Sequence, residues 1–186
     1  MVEVKISVND IAFNLVGEMI TRAEMLGIRI TKTGNGATVI DAGINTAGSF
    51  YAGKYVTEIC LGGLGRASLS MNDYGGGLVL PSIFVETAYP AIATLGSQLA
   101  GWRISDKDKK FFGMGSGPAR ALSLEPKELY EKIAYGDKAN KAVIVIETEN
   151  TINNDIAEIV ATKCKVRSNS LYAIVAPTSS IVGSVQ

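Results

Sequence analysis

Histidine is absent from all 186 residues of this chain. That absence removes the most frequent general base near neutral pH, the commonest metal ligand, and every Ser-His or Cys-His catalytic arrangement. Cysteine is scarce. Cys60 and Cys164 stand far apart with no companion at ligand spacing, which excludes a zinc site or a disulfide framework, so both read as buried reduced thiols. Net charge is lacking as well, with 18 Lys and Arg against 18 Asp and Glu. No long-range field therefore draws the chain to nucleic acid or to an anionic membrane. An anionic ligand would have to be held by local geometry. No apolar run approaches the ~18 residues of a membrane span, and no basic segment leading into an apolar one opens the chain. A cytoplasmic protein is expected.

What is present is a globular composition, 47% hydrophobic, enough for a packed core. Residues 9–26 carry an apolar stripe at helical spacing, with Ser7 and Asp10 at its start and Gly27 at its end. Residues 28–33 and 37–42 flank Gly34-Asn35-Gly36 and read as a hairpin. Further along, the pattern predicts a short helix near 50–60 and a strand over 67–71. An apolar run over 78–87 is interrupted by Pro81, and a helix opened by Pro90 runs through Leu99. A charged turn over 106–110 includes Lys109. A helix over 127–134, a buried strand over 141–148, a helix capped by Asn153 or Asn154, and a strand over 171–176 complete the chain. This order predicts an α/β (α+β) domain with a mixed sheet and flanking helices, formed by residues 1–186 as one unit.

The stretch Gly113-Met114-Gly115-Ser116-Gly117-Pro118-Ala119-Arg120 is the strongest local signal. Alternating glycines let backbone N–H groups converge into an anion-binding nest, and a guanidinium suits phosphate or carboxylate. The same stretch also fits a tight connection between packed elements with Arg120 on the surface. Glu147 and Glu149 end the buried strand, where ligands often sit in α/β sheets. Thr178, Ser179 and Ser180 sit at another strand end, as cleft lining or as helix caps. Trp102 reads as core or interface. Pro177 onward resembles a loop, a cap and the first turns of a further element, so a longer protein is expected.

Four segments carry a family resemblance. They are Thr57-Glu58-Ile59-Cys60-Leu61-Gly62-Gly63-Leu64, the run from Pro90 to Trp102 that contains Gly96-Ser97-Gln98-Leu99, Gly115-Ser116-Gly117-Pro118-Ala119-Arg120-Ala121-Leu122, and the run from Ala176-Pro177-Thr178 to Ser184-Val185-Gln186. In these the chain resembles the methenyltetrahydromethanopterin cyclohydrolases of archaeal one-carbon metabolism and methanogenesis. The resemblance implies hydrolysis of a cationic 5,10-methenyl pterin to its N5-formyl form, with no metal and no redox cofactor. It implies a small-molecule pterin substrate, no nucleic-acid or membrane partner, and a homo-oligomer, trimeric for the family, with a dimer open to a shortened chain. It also implies two α/β portions with the site between them, so that this chain would be the N-terminal portion. The catalytic Arg and Glu would then lie beyond Gln186, and the isolated chain would be weak or inactive. Substrate contacts are expected from Gly115, Ser116, Gly117 and Arg120, then from Ser97, Gln98 and Tyr135, with Glu147 as the fallback general base. The contrasting expectation is a non-catalytic anion-binding or oligomer-forming assembly domain.

Overall fold

The structure, a computed structural model, describes residues 6–106, 108 and 110–185; Lys109 and Gln186 lie outside the described residues. Helix α1 (Val8–Thr21) starts at Ser7, whose hydroxyl accepts the Asp10 N–H at 3.1 Å. The single helix expected over 9–26 is two. Thr21 donates its hydroxyl back to the carbonyls of Gly17 and Glu18, and such back-bonding loosens a helix. The chain turns at Arg22, continues as the short α2 (Ala23–Leu26), and stops at Gly27.

Strands β1 (Arg29–Lys32) and β2 (Thr38–Asp41) form the expected antiparallel hairpin. Helix α3 (Phe50–Cys60) follows, capped by Ser49. Next come β3 (Gly65–Asp73) and β4 (Val79–Thr87), which among the described residues form a two-stranded sheet of their own. The segment expected as an α-helix after Pro90 is a π-helix, Ala91–Gln98. The rest runs β5 (Trp102–Ser105), β6 (Phe112–Ser116), α4 (Ala119–Ser123), α5 (Lys127–Ile133), β7 (Ala142–Glu147), α6 (Asn154–Lys163), β8 (Leu171–Ala176) and α7 (Ile181–Val185).

The main sheet has the order β1-β2-β8-β7-β6-β5. Strands β2, β8 and β7 are mutually parallel, and the outer pairings are antiparallel. The expected mixed α/β architecture is therefore present. Ala142 to Ile146 of β7 are apolar at both parities and buried on both faces, as a central strand between helical layers requires. On one face α1 and α3 pack Val16, Met19, Val56 and Ile59 against Ile40, Val143, Val145 and Ile174. On the other face α6 packs Ile156, Ala157 and Val160 against Ile144, Ile146, Ala173 and Val175. Trp102 and Cys164 belong to this second core, and the Cys164 thiol is pushed up to about 12 by burial.

The alternating glycines are a correction. Residues 113–116 are not a loop but part of β6, paired with β5 and β7. A Cβ at Gly113 would lie 2.5 Å from Ile146 Cγ2, and one at Gly115 would lie 3.0 Å from Ile104 Cδ1. The glycines leave room for large neighbours inside a sheet. Only Gly117, at φ +89°, uses the left-handed region, in the turn from β6 into α4.

Candidate functional site

Because β2, β8 and β7 are parallel, their carboxyl ends share one edge of the sheet. Acidic residues end two of them, and their fates differ. Asp41, at the end of β2, turns its carboxylate onto its own loop. It accepts N–H groups from Gly43 at 3.1 Å, Ile44 at 2.8 Å and Asn45 at 2.9 Å. Burial alone would raise this carboxyl, but those amides and the Asn45 side chain outweigh it and hold the group below its ordinary value. Asp41 shapes a loop. Glu147, at the end of β7, stays exposed and accepts the hydroxyl of Thr178 from the loop after β8.

Glu147 and Thr178 border two adjoining hollows of about 390 Å³ each. Leu95, Gln98 and Leu99 of the π-helix segment wall the first. Phe112, Met114 and Glu149 wall the second. Together they form an open cleft with apolar sides, lined also by the carboxylates of Glu147 and Glu149, an amide and hydroxyls. Such a lining suits a flat, polar-edged heterocycle, and carboxylates suit one that carries positive charge. A larger hollow of about 620 Å³ lies beside Asp106, Asp155 and Glu158. There Asp106 is spent on the Lys110 and Phe111 amides and Glu158 on Ser168. No cluster of three or more His, Cys, Asp or Glu able to hold a metal occurs among the described residues.

Of the residues expected from sequence, the cleft brings together Gln98 and Glu147, with Thr178 and Ser179. The others are elsewhere. Gly115, Ser116 and Gly117 are buried in the sheet and the turn after it, and the Ser116 hydroxyl lies 3.2 Å from the Cys60 thiol. The expected anion nest is thus not formed: Gly115 and Ser116 pair within the sheet, and the Gly117 N–H donates to the Ser97 carbonyl. Arg120 is neither a surface residue nor a clamp: it is fully buried. Its Nη1 donates to the carbonyls of Leu95 at 3.3 Å and Ser97 at 3.1 Å, and its Nε to that of Glu125 at 2.9 Å. Tyr130 lies beneath the guanidinium, 5.6 Å from its ring centre, and donates its hydroxyl to the Gly96 carbonyl at 2.8 Å.

The last carbonyls of a helix have no partners within it. Here Arg120, Tyr130 and the Gly117 N–H take three in a row, at Leu95, Gly96 and Ser97. A buried cation at a helix carboxyl end also meets the negative end of the peptide dipoles. Ser97 itself is buried, with its hydroxyl and Arg120 Nη2 lacking hydrogen-bond partners among the described residues. Tyr135 donates to the Ile6 carbonyl at 2.9 Å and stands behind Gly96, outside the cleft. Burial raises both tyrosine hydroxyls above their ordinary range, so they remain donors. Sequence reasoning missed Tyr130, Leu95, Leu99, Phe112 and Met114, whose roles depend on which strands become neighbours.

A family model described as Cyclohydrolase (MCH) matches residues 7–186. The chain belongs to this cyclohydrolase family. Among its relatives are methenyltetrahydromethanopterin cyclohydrolases from Methanococcus maripaludis strain S2, 49% identical over 182 residues, and Methanocaldococcus jannaschii, 47% identical. The enzyme of that name from Methanothermobacter thermautotrophicus is 46% identical. Each match covers 97% of this chain and 56% of the relative, so the chain spans about half the length of the curated relatives it matches. In this cyclohydrolase-family chain no described helix is long and apolar enough to cross a membrane.

Proposed function

We propose that this chain supplies one wall of a cleft for 5,10-methenyltetrahydromethanopterin and takes part in its hydrolysis to the N5-formyl form. The observation that carries the reading is the meeting of Glu147, Thr178 and Gln98 at the carboxyl edge of the parallel strands, in a chain of the cyclohydrolase family. The methenyl carbon of such a substrate is electrophilic because its amidinium charge spreads over two nitrogens. Water adds to that carbon, a base takes one of its protons, and the C–N bond to one nitrogen breaks as that nitrogen regains its electron pair and a proton. The other nitrogen keeps the formyl group.

Glu147 suits two tasks. Its negative charge attracts the cationic ring, and its carboxylate can orient a water or accept its proton. The Thr178 hydroxyl fixes one carboxylate oxygen and leaves the other free. Leu95, Leu99 and Phe112 offer apolar contact for the ring plane, and the Gln98 amide can read its polar edge. The chemistry asks for no metal and no redox cofactor, and none is assigned. Residues 1–186 are read as one α/β domain, the N-terminal portion of a larger cyclohydrolase that assembles as a homo-oligomer.

The test is titration of the chain with 5,10-methenyltetrahydromethanopterin, followed by the pterin absorbance. Saturable binding is expected, weakened about tenfold or more in Glu147→Gln, the loss appropriate to a charge-assisted contact of roughly 1.5–3 kcal/mol. Absence of saturable binding, or a Glu147→Gln affinity equal to wild type, would overturn the assignment.

A further inference from the structure

We infer that Arg120 and Tyr130 are positioning residues for the substrate: from behind the π-helix they fix the peptide planes that aim Gln98 into the cleft. The inference rests on the cleft reading above and adds to it two residues that do not line the cleft. The last bond of the π-helix runs from the Leu99 N–H to the Thr94 carbonyl at 2.8 Å. The carbonyls of Leu95, Gly96 and Ser97 come after it, and the chain leaves the helix at Leu99 for β5. Helical turns of this wide kind are uncommon and concentrate at functional sites.

A carbonyl and the N–H of the next residue lie in one rigid plane. Holding the Ser97 carbonyl therefore holds the plane from which Gln98 departs. Arg120 Nη1, at 3.1 Å, and the Gly117 N–H, at 2.8 Å, both donate to that carbonyl. The Tyr130 hydroxyl holds the plane before it, at the Gly96 carbonyl, and Arg120 Nη1 the plane before that, at Leu95. Three successive planes are thus held from one side. The clamp is itself fixed, because Arg120 Nε donates to the Glu125 carbonyl and the Tyr130 ring lies beneath the guanidinium.

The clamped segment has two faces. Gly96 and Ser97 form the inner one: a Cβ on Gly96 would lie 3.2 Å from Ile133 Cδ1, and Ser97 is fully buried. Leu95, Gln98 and Leu99 form the outer one and wall the first hollow beside Glu147. The two kinds of outer side chain differ in what they need. Apolar contact with Leu95 and Leu99 is non-directional and tolerates small shifts. A hydrogen bond from the Gln98 amide weakens steeply with distance and angle. Loosening the planes therefore costs the Gln98 contact first. A side chain ordered in advance also loses less freedom when the ligand arrives.

Titration with 5,10-methenyltetrahydromethanopterin tests the assignment, using wild type, Tyr130→Phe, Gln98→Ala and the double variant. Tyr130→Phe keeps the ring beneath the guanidinium and removes only the hydroxyl. It should raise Kd about fivefold while Gln98 is present and less than about twofold once Gln98 is replaced, the coupling of residues that act through one another. Arg120→Lys keeps the charge but not the planar fork, and should couple to Gln98→Ala in the same way. General loosening of the fold would instead weaken binding equally with and without Gln98. Val16→Ala, which opens a cavity in the core under α1, should lower stability in urea and leave Kd at the wild-type value. If Val16→Ala loses affinity as Tyr130→Phe does, or if Tyr130→Phe binds as wild type or weakens equally in both backgrounds, the positioning role is overturned and the cleft reading stands. If Gln98→Ala binds as wild type, the clamp aims no substrate contact at that residue and the inference falls alone. If the wild type shows no saturable binding, the cleft reading and the inference fall together.

Discussion

Arg120 shows how one side chain changes meaning with burial. A lone arginine after a glycine-rich stretch looks like a ligand for an anion. In the fold its guanidinium points inward, and backbone carbonyls take the place that phosphate oxygens would take. The charge remains solvated, but by the peptide dipoles of the π-helix and by the face of Tyr130. Burial draws the guanidinium below its ordinary value. Removing it would leave the carbonyls of Leu95 and Glu125 without this donor and open a hole the size of the largest fully buried side chain. Arg120→Ala should therefore lower the unfolding free energy by about 3 kcal/mol or more, read by urea titration. A loss below about 1 kcal/mol would show that the network is not a major support of the fold. The residue type was legible in the sequence, but its direction was not, because direction depends on the π-helix reaching over α4 from a distant part of the chain.

At the scale of elements, local chemistry gave much of what sequence reasoning could see. The Ser7 and Asn153 caps, the hairpin around Gly34–Gly36, the last two strands of the sheet and the Lys127 helix all follow from short-range signals. The strands around Gly113 were not legible. Glycine at alternate positions reads as a turn until the bulk of Ile104, Ile144 and Ile146 supplies the reason for it. The site was legible in part for the same reason. Glu147 and Gln98 could be singled out, but their meeting at one edge needs the parallel pairing of β7 with β8. The β2 loop illustrates an element that one carboxylate organises. Asp41 is held below its ordinary value in the fold. Its contribution is thus fully present above the unfolded-state value of about 3.8 and is lost as pH falls through the lower folded one. Asp41→Asn should cost about 2 kcal/mol at pH 7, since hydrogen bonds to a charged acceptor are replaced by weaker ones. The gap between variant and wild type should narrow as the pH drops below about 4. A gap independent of pH from 7 to 3, measured by thermal unfolding, would show that the negative charge is not what orders residues 43–46.

The whole molecule divides into a packed body and the separate β3–β4 hairpin. The body has two apolar cores on either side of a six-stranded sheet, and neither core includes a residue of the hairpin beyond its root. The candidate cleft lies at the carboxyl edge of that sheet, built from β6, β7, the loop after β8 and the π-helix. Body and hairpin should therefore be separable in stability. Replacing residues 69–83 by Asn-Gly would join Ser68 to Phe84, a directly paired position, through a two-residue turn suited to antiparallel strands. The Glu58 bond to Ala67 and the Arg66–Glu86 pairing would survive the change. The shortened chain should unfold cooperatively, with a free energy within about 1 kcal/mol of wild type at concentrations where both are monomeric, because it loses exposed rather than buried apolar surface. Urea denaturation of both chains at one low protein concentration measures the difference. A large loss of stability in the shortened chain even when dilute would mean that the hairpin is part of the folding unit and not an appendage to it.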